Sequence, residues 1–141
     1  MKVLIVEGDP DLGSLWGRHI ERCGAEVMLA QSQEEAIEHL HDNHVDAMVL
    51  NLILPEGSAM AVADYASYRH PAARAIFVTN TGFFSDGSIF QHIPNACAFV
   101  RDSTRPEDLA AMVEYYGAPR KPGRYVHEPE PIFSPRRAMV S

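Results

Sequence analysis

The chain has 141 residues, 46% of them apolar and 22% charged, with a formal net charge of −7. These are the values of an ordinary one-domain globular protein; they exclude a wholly disordered chain, a collagen and a coiled coil, and no apolar run approaches the ~18 residues of a membrane span. Charge is uneven. Residues 1–117 carry 7 Lys+Arg against 17 Asp+Glu, a balance of −10, and residues 118–141 carry 5 against 2, a balance of +3. An acidic body lacks the basic face that duplex DNA requires, so neither nucleic acid nor a membrane is expected as a partner.

Lys2–Val6 opens the chain as a nearly continuous apolar run, suited to a strand buried on both faces. The run is too short, and Glu7 comes too early, for a signal peptide, so a cytoplasmic location is expected. Asp9-Pro10 then reads as an N-cap with proline at the first helical position. Leu12, Leu15, Trp16, His19, Ile20 and Cys23 recur at helical spacing, and Gly24 ends that helix. Glu26–Ala30 is a more mixed strand, expected at a sheet edge. Ser32 to Glu35 forms a capping box before a helix with Ala36, Ile37 and Leu40 as its apolar stripe. Asp46–Leu50 is a second buried strand. A helix is expected from about Ser58 to His70, with Met60, Ala63 and Ala66 inward and Pro71 beyond its end. Ala75–Thr79 is the fourth strand, and a short helix near Asp86–His92 follows. Ala96–Val100 reads as the other edge strand. The last helix opens at Thr104 or Arg105, carries Leu109, Met112 and Val113, and stops at Gly117.

Strand–helix alternation repeated five times predicts an α/β fold with right-handed crossovers. At this length the natural form is a flavodoxin-like doubly wound sheet of five parallel strands, order 2-1-3-4-5, with helices on both faces. Residues 1–117 form this domain. Residues 118–141 hold five of the ten prolines and read as an extended or disordered tail. Its apolar spots, Tyr125-Val126 and Ile132-Phe133, could dock on a neighbour or on the chain's own domain; the plain alternative is a frayed terminus. Cys23 and Cys97 form no CxxC pair and are expected as small buried hydrophobes of a reducing compartment.

In such folds the functional crevice lies at the carboxyl ends of the strands. Those ends deliver Glu7, Gly8 and Asp9 after the first strand, Asn51 after the third, Thr79 and Asn80 after the fourth, and Arg101 and Asp102 after the fifth. The ordered segments MKVLIVEGDPDL, VDAMVLNLILPEGSAM, AIFVTNTG and AFVRDSTRPEDL resemble a response-regulator receiver domain of the CheY-like superfamily, over residues 1 to about 117. The resemblance implies two-component, phosphorelay signalling. In that family an aspartate ending the third strand takes a phosphoryl group from a histidine kinase, two acids after the first strand bind Mg²⁺, and a Thr or Ser and a Lys contact the phosphoryl group.

This chain departs from that pattern where the chemistry is done. The phosphoacceptor position is Asn51, whose carboxamide is not an anionic nucleophile. Gly8 replaces one of the two acids, Arg101 replaces the lysine, and Asn80 stands where a very small residue is usual. Mg²⁺ depends on carboxylate oxygens; only Glu7 and Asp9 remain, and Asp9 is better explained as the helix N-cap. No cofactor is therefore expected, with Mg²⁺ binding weak or absent. Arg101 is expected to pair with Glu7 or Asp9, with Asn51 as a neutral neighbour, the alternative being that it points to solvent. Thr79 is a candidate relic of the switch hydroxyl. Phe99 occupies the family's aromatic switch position but equally suits edge packing. Phe83-Phe84, in the loop after the fourth strand, cannot easily both point inward, so one of them is a candidate for partner binding on the output face. His39, His41 and His44 read as a solvated helix end rather than a metal site.

The expected function is a stand-alone degenerate receiver, not phosphorylatable on the usual residue and not an enzyme. It would act as a regulatory protein–protein interaction module toward a sensor kinase, a phosphotransfer protein or another regulator, or as a homodimer through its last helix. Two rival readings are an active phosphorelay receiver with an unusual acceptor and a small-ligand sensor using the reshaped crevice.

Overall fold

The computed structural model describes residues 1–79 and 95–117. Its strands are β1 (Lys2–Val6), β2 (Glu26–Ala30), β3 (Ala47–Asn51), β4 (Arg74–Thr79) and β5 (Ala96–Arg101). They form one sheet in the order β2-β1-β3-β4-β5, every pair parallel. The described helices are α1 (Pro10–Glu21), α2 (Gln33–Asp42), α3 (Ala59–Arg69) and α4 (Pro106–Gly117). The expected topology is thus observed, with β2 and β5 at the edges. The helix expected near Asp86–His92 and the tail at 118–141 lie outside the described residues.

Helix starts follow from capping chemistry. Asp9 Oδ1 accepts from the backbone N–H of Asp11 at 2.9 Å and of Leu12 at 3.4 Å, and Pro10 follows as the first residue of α1. Ser32 Oγ accepts from Glu35 N at 3.2 Å, while Glu35 Oε1 reaches back to Gln31 N at 3.4 Å. Ser58 caps α3 in the same way through Ala61 N. Such caps satisfy helix N–H groups that have no partner within the helix.

Alternation along the strands divides the core into two layers. Val3 and Ile5 face Trp16 and Ile20 of α1 and Leu109, Met112 and Val113 of α4. Leu4 and Val6 face Ala36 and Leu40 of α2 and Val62, Ala63 and Ala66 of α3, with Phe77 and Phe99 in the same layer. Each large side chain removed from water this way contributes roughly 1.5–3 kcal/mol.

Two expectations about the core are corrected. Met60 is 37% exposed rather than inward. The buried stripe of α3 is Ala59, Val62, Ala63 and Ala66, and Met60 falls one position off it. Cys23 is exposed, because α1 ends at Glu21 and leaves it in the turn before Gly24, whose φ is +92°. Cys97 is buried as expected, and burial pushes its thiol up to about 12 against the opposing influence of Arg74.

Candidate functional site

Because all five strands are parallel, their carboxyl ends share one rim. Glu7 follows β1, Asn51 ends β3, Thr79 ends β4 and Arg101 ends β5. The register places Asn51 beside Val78 and Thr79 beside Arg101.

Glu7 is the buried carboxyl group among the described residues of this rim, 6% exposed. Its Oε1 accepts from Asn51 Nδ2 at 2.7 Å, and its Oε2 accepts from the backbone N–H of Asp9 at 2.9 Å. The Asn51 carboxamide is used at both ends, since its Oδ1 accepts from Ile53 N at 2.9 Å. The amide orientation follows from the partners: a backbone N–H can only donate and a carboxylate only accept. A carboxylate buried beside hydrogen-bond donors avoids the large cost of an unpaired buried charge. The donors here are a carboxamide and a backbone amide.

Gly8 lies under the ring of Pro55. A Cβ built on Gly8 would stand 2.5 Å from Pro55 Cδ and 2.9 Å from Cγ, well inside van der Waals contact. The space that a residue-8 side chain needs is filled by a ring fixed to its own backbone. Pro55 belongs to the β3–α3 loop, which is tied to the start of α2: Gln33 N donates to Glu56 O at 3.2 Å, and Ser58 N donates to Gln33 Oε1 at 2.8 Å. Gly57 in this loop has φ +92°, and its Cβ would run into Gln33. A glycine is required there on both counts.

Asp9 is exposed and committed to capping α1. Arg101 is exposed and, among the described residues, is joined to neither Glu7 nor Asp9, which corrects that expectation. Both Glu7 oxygens already accept hydrogen bonds, one from Asn51 and one from the Asp9 backbone. Thr79 is fully buried, and its carbonyl accepts from Asp102 N at 2.8 Å. Phe99 is 1% exposed and stacks on Phe77 with ring centroids 5.0 Å apart and planes at 19°. Asn80, Phe83 and Phe84 lie outside the described residues. The three clustered histidines serve separate local contacts: His39 meets Leu29 O, His41 meets Asp42 and His44 meets Asp46.

The sequence reading missed Pro55, Ile53 and Gln33. The only signal was their position in LNLILPEG and in the capping box; nothing local told that the proline would cover Gly8.

The fold and rim define a doubly wound α/β module with its crevice at the strand ends. The model of the response regulator receiver domain matches residues 3–113, and the chain belongs to that family. It is a receiver domain of two-component signalling; receiver domains in general interact with kinases, phosphotransfer proteins or other regulators. Over 113 residues it is 29% identical to the response regulator protein PilR of Pseudomonas aeruginosa, which covers 80% of this chain and 24% of that protein's length. Among solved structures it is similar to the non-phosphorylated HemR receiver domain of Leptospira biflexa, with TM-score 0.73 and 21% identity over 86% of this chain and 97% of that one. A CheY-like receiver domain from Methanospirillum hungatei has TM-score 0.73 and 21% identity, covering 82% of this chain and 92% of its own. Among the described residues, no helix is long and apolar enough to cross a membrane.

Proposed function

We propose that this receiver is not phosphorylated on the usual residue and acts as a regulatory protein–protein interaction module toward a sensor kinase, a phosphotransfer protein or another regulator. The observation that carries the reading is the Asn51 carboxamide, with its nitrogen on Glu7 and its oxygen on Ile53 N. It offers no anionic oxygen to attack phosphorus, and both of its polar atoms are already occupied.

The residues present fit Mg²⁺ poorly. Both Glu7 oxygens hold N–H donors, the place of a second acid is filled by Pro55, and Asp9 is exposed with Oδ1 capping α1. An octahedral oxygen shell needs oxygens free to turn toward the ion. The Asn51 amide does for Glu7 what a cation would otherwise do, holding the rim in one arrangement. A two-state receiver is biased by what binds one state better; here the internal hydrogen bonds supply that bias permanently.

An active receiver could use an unusual acceptor or an aspartate formed from Asn51; the second route requires attack of the Leu52 nitrogen on the Asn51 side chain. That N–H is engaged in the sheet, donating to Val78 O at 2.8 Å. The test is incubation of the full chain with a small acyl-phosphate donor and Mg²⁺, followed by intact-mass measurement. The expected result is no added phosphoryl group. One acid-labile phosphoryl group mapped to the crevice overturns the reading.

A further inference from the structure

We propose that the groove between α2 and α3 is the docking site of this chain's own residues 129–137, PEPIFSPRR. The groove, about 660 Å³ and open to solvent, is lined by Gln33 and Ile37 of α2 and by Ala61, Asp64, Tyr65 and Tyr68 of α3. Tyr68 is 84% exposed, and Met60, 37% exposed, stands one turn before Asp64 and extends the apolar lip. Elsewhere among the described residues, the large exposed apolar side chains Met1, Leu29, Ile53 and Tyr115 come from separate parts of the chain. One carboxylate lines the groove and two stand near it, while Arg69 at the end of α3 donates to His41 O of α2 at 3.1 Å. Asp64 lines the groove, and exposed Glu34 and Glu38 follow Gln33 and Ile37 by one position on the solvent side of the same flank.

The segment matches this surface in length, shape and charge. Residues 61 to 68 rise about 10 Å along a helix, and three to four residues of an extended proline-rich strand cover the same length. Prolines 129, 131 and 135 restrict the segment before it binds, which lowers the entropy lost on docking. Ile132-Phe133 suit the tyrosine-lined floor, and Arg136-Arg137 suit the three carboxylates. The domain is acidic and the 118–141 segment basic, so attraction is general while the groove makes it local. Reach is sufficient. The described chain ends at Gly117, beside Met1 and Ala47 at the amino edge of the sheet. Tyr68, in the last turn of α3, lies toward that same edge. The dozen residues 118–129 span up to ~40 Å, more than the width of a domain this size. Tethering makes the local concentration of the segment millimolar in order, so weak contacts suffice.

The test uses the full chain carrying Cys23→Ser and Ser141→Cys, with a nitroxide on the new thiol; Cys97 is 2% exposed and stays unlabelled. The amide signals of Ile37, Tyr65 and Tyr68 should lose most of their intensity, while those of Arg18 and Glu114, on the opposite layer, keep theirs. Arg136→Glu with Arg137→Glu should abolish the loss, and adding Glu38→Lys with Asp64→Lys, both at exposed positions, should restore it. Broadening spread over both layers, or none, overturns the proposal. So does broadening that passes instead from a nitroxide-bearing chain to a second, unlabelled copy.

Discussion

Asn51→Asp places a carboxylate oxygen where Nδ2 now lies, 2.7 Å from Glu7 Oε1. Two unit charges at that spacing repel by about 6 kcal/mol at an effective dielectric constant of ~20. The pair has a less costly escape, because one carboxyl can take a proton and share it with the other. Protonating a carboxyl of ordinary pKa near 4 costs ~1.4 kcal/mol per pH unit, or about 4 kcal/mol at pH 7, and this sets the ceiling. The lost charge-assisted hydrogen bond, roughly 1.5–3 kcal/mol, is largely recovered by the shared proton. Asn51→Asp should therefore destabilise the domain by about 3–4 kcal/mol at pH 7 and by less than ~1 kcal/mol at pH 4.5. In melting temperature that is a loss on the order of 10 °C at pH 7. The assay is urea unfolding of the full chain at both pH values with a chelator present. A variant as stable as wild type at pH 7 would show that Glu7 and Asn51 are not joined. An equal loss at both pH values would remove the electrostatic explanation.

Gly8→Ala should cost roughly 1–3 kcal/mol, the range for overpacking, and Pro55→Ala in the same chain should recover much of it; a melting-temperature cycle that comes out additive refutes the contact. Asp46 is pushed up by burial, but the backbone N–H of Lys2 and the hydrogen bond and charge of His44 together outweigh this and leave it below the ordinary carboxylate range. A depressed carboxyl stabilises the fold above its unfolded pKa and loses that contribution as pH falls through the folded one. Asp46→Asn should therefore flatten the stability profile on the acid side of pH 4, and an unchanged acid limb contradicts it. In the native chain a thiol reagent should modify Cys23 quickly and leave Cys97 untouched until unfolding, since Cys97 is buried with its thiol pushed up to about 12; two fast equivalents would show that β5 is not packed as described.

Much of this molecule was readable in one dimension because the relevant signals are local. The strand runs, the Asp9-Pro10 start and the capping box at Ser32 each depend on a few neighbouring residues, and each falls within one residue of where the pattern put it. Errors came where a neighbour distant in sequence decides. Met60 lies on a helical apolar pattern, but the sheet selected the stripe one position away. Cys23 is apolar by type and exposed because the helix stops two residues earlier.

The sequence by itself determined that the centre of the rim carries a carboxamide and that its neighbour after β1 lacks a side chain, since these are matters of residue identity. Only the tertiary structure decided what those two changes do. Glu7 and Asn51 are 44 residues apart and meet because two strands lie side by side in the sheet. Gly8 reads in sequence as a missing ligand and in three dimensions as room required by Pro55. Arg101, which charge alone would send toward Glu7, is exposed, and the Glu7 carboxyl takes its hydrogen bonds from Asn51 and the Asp9 backbone instead.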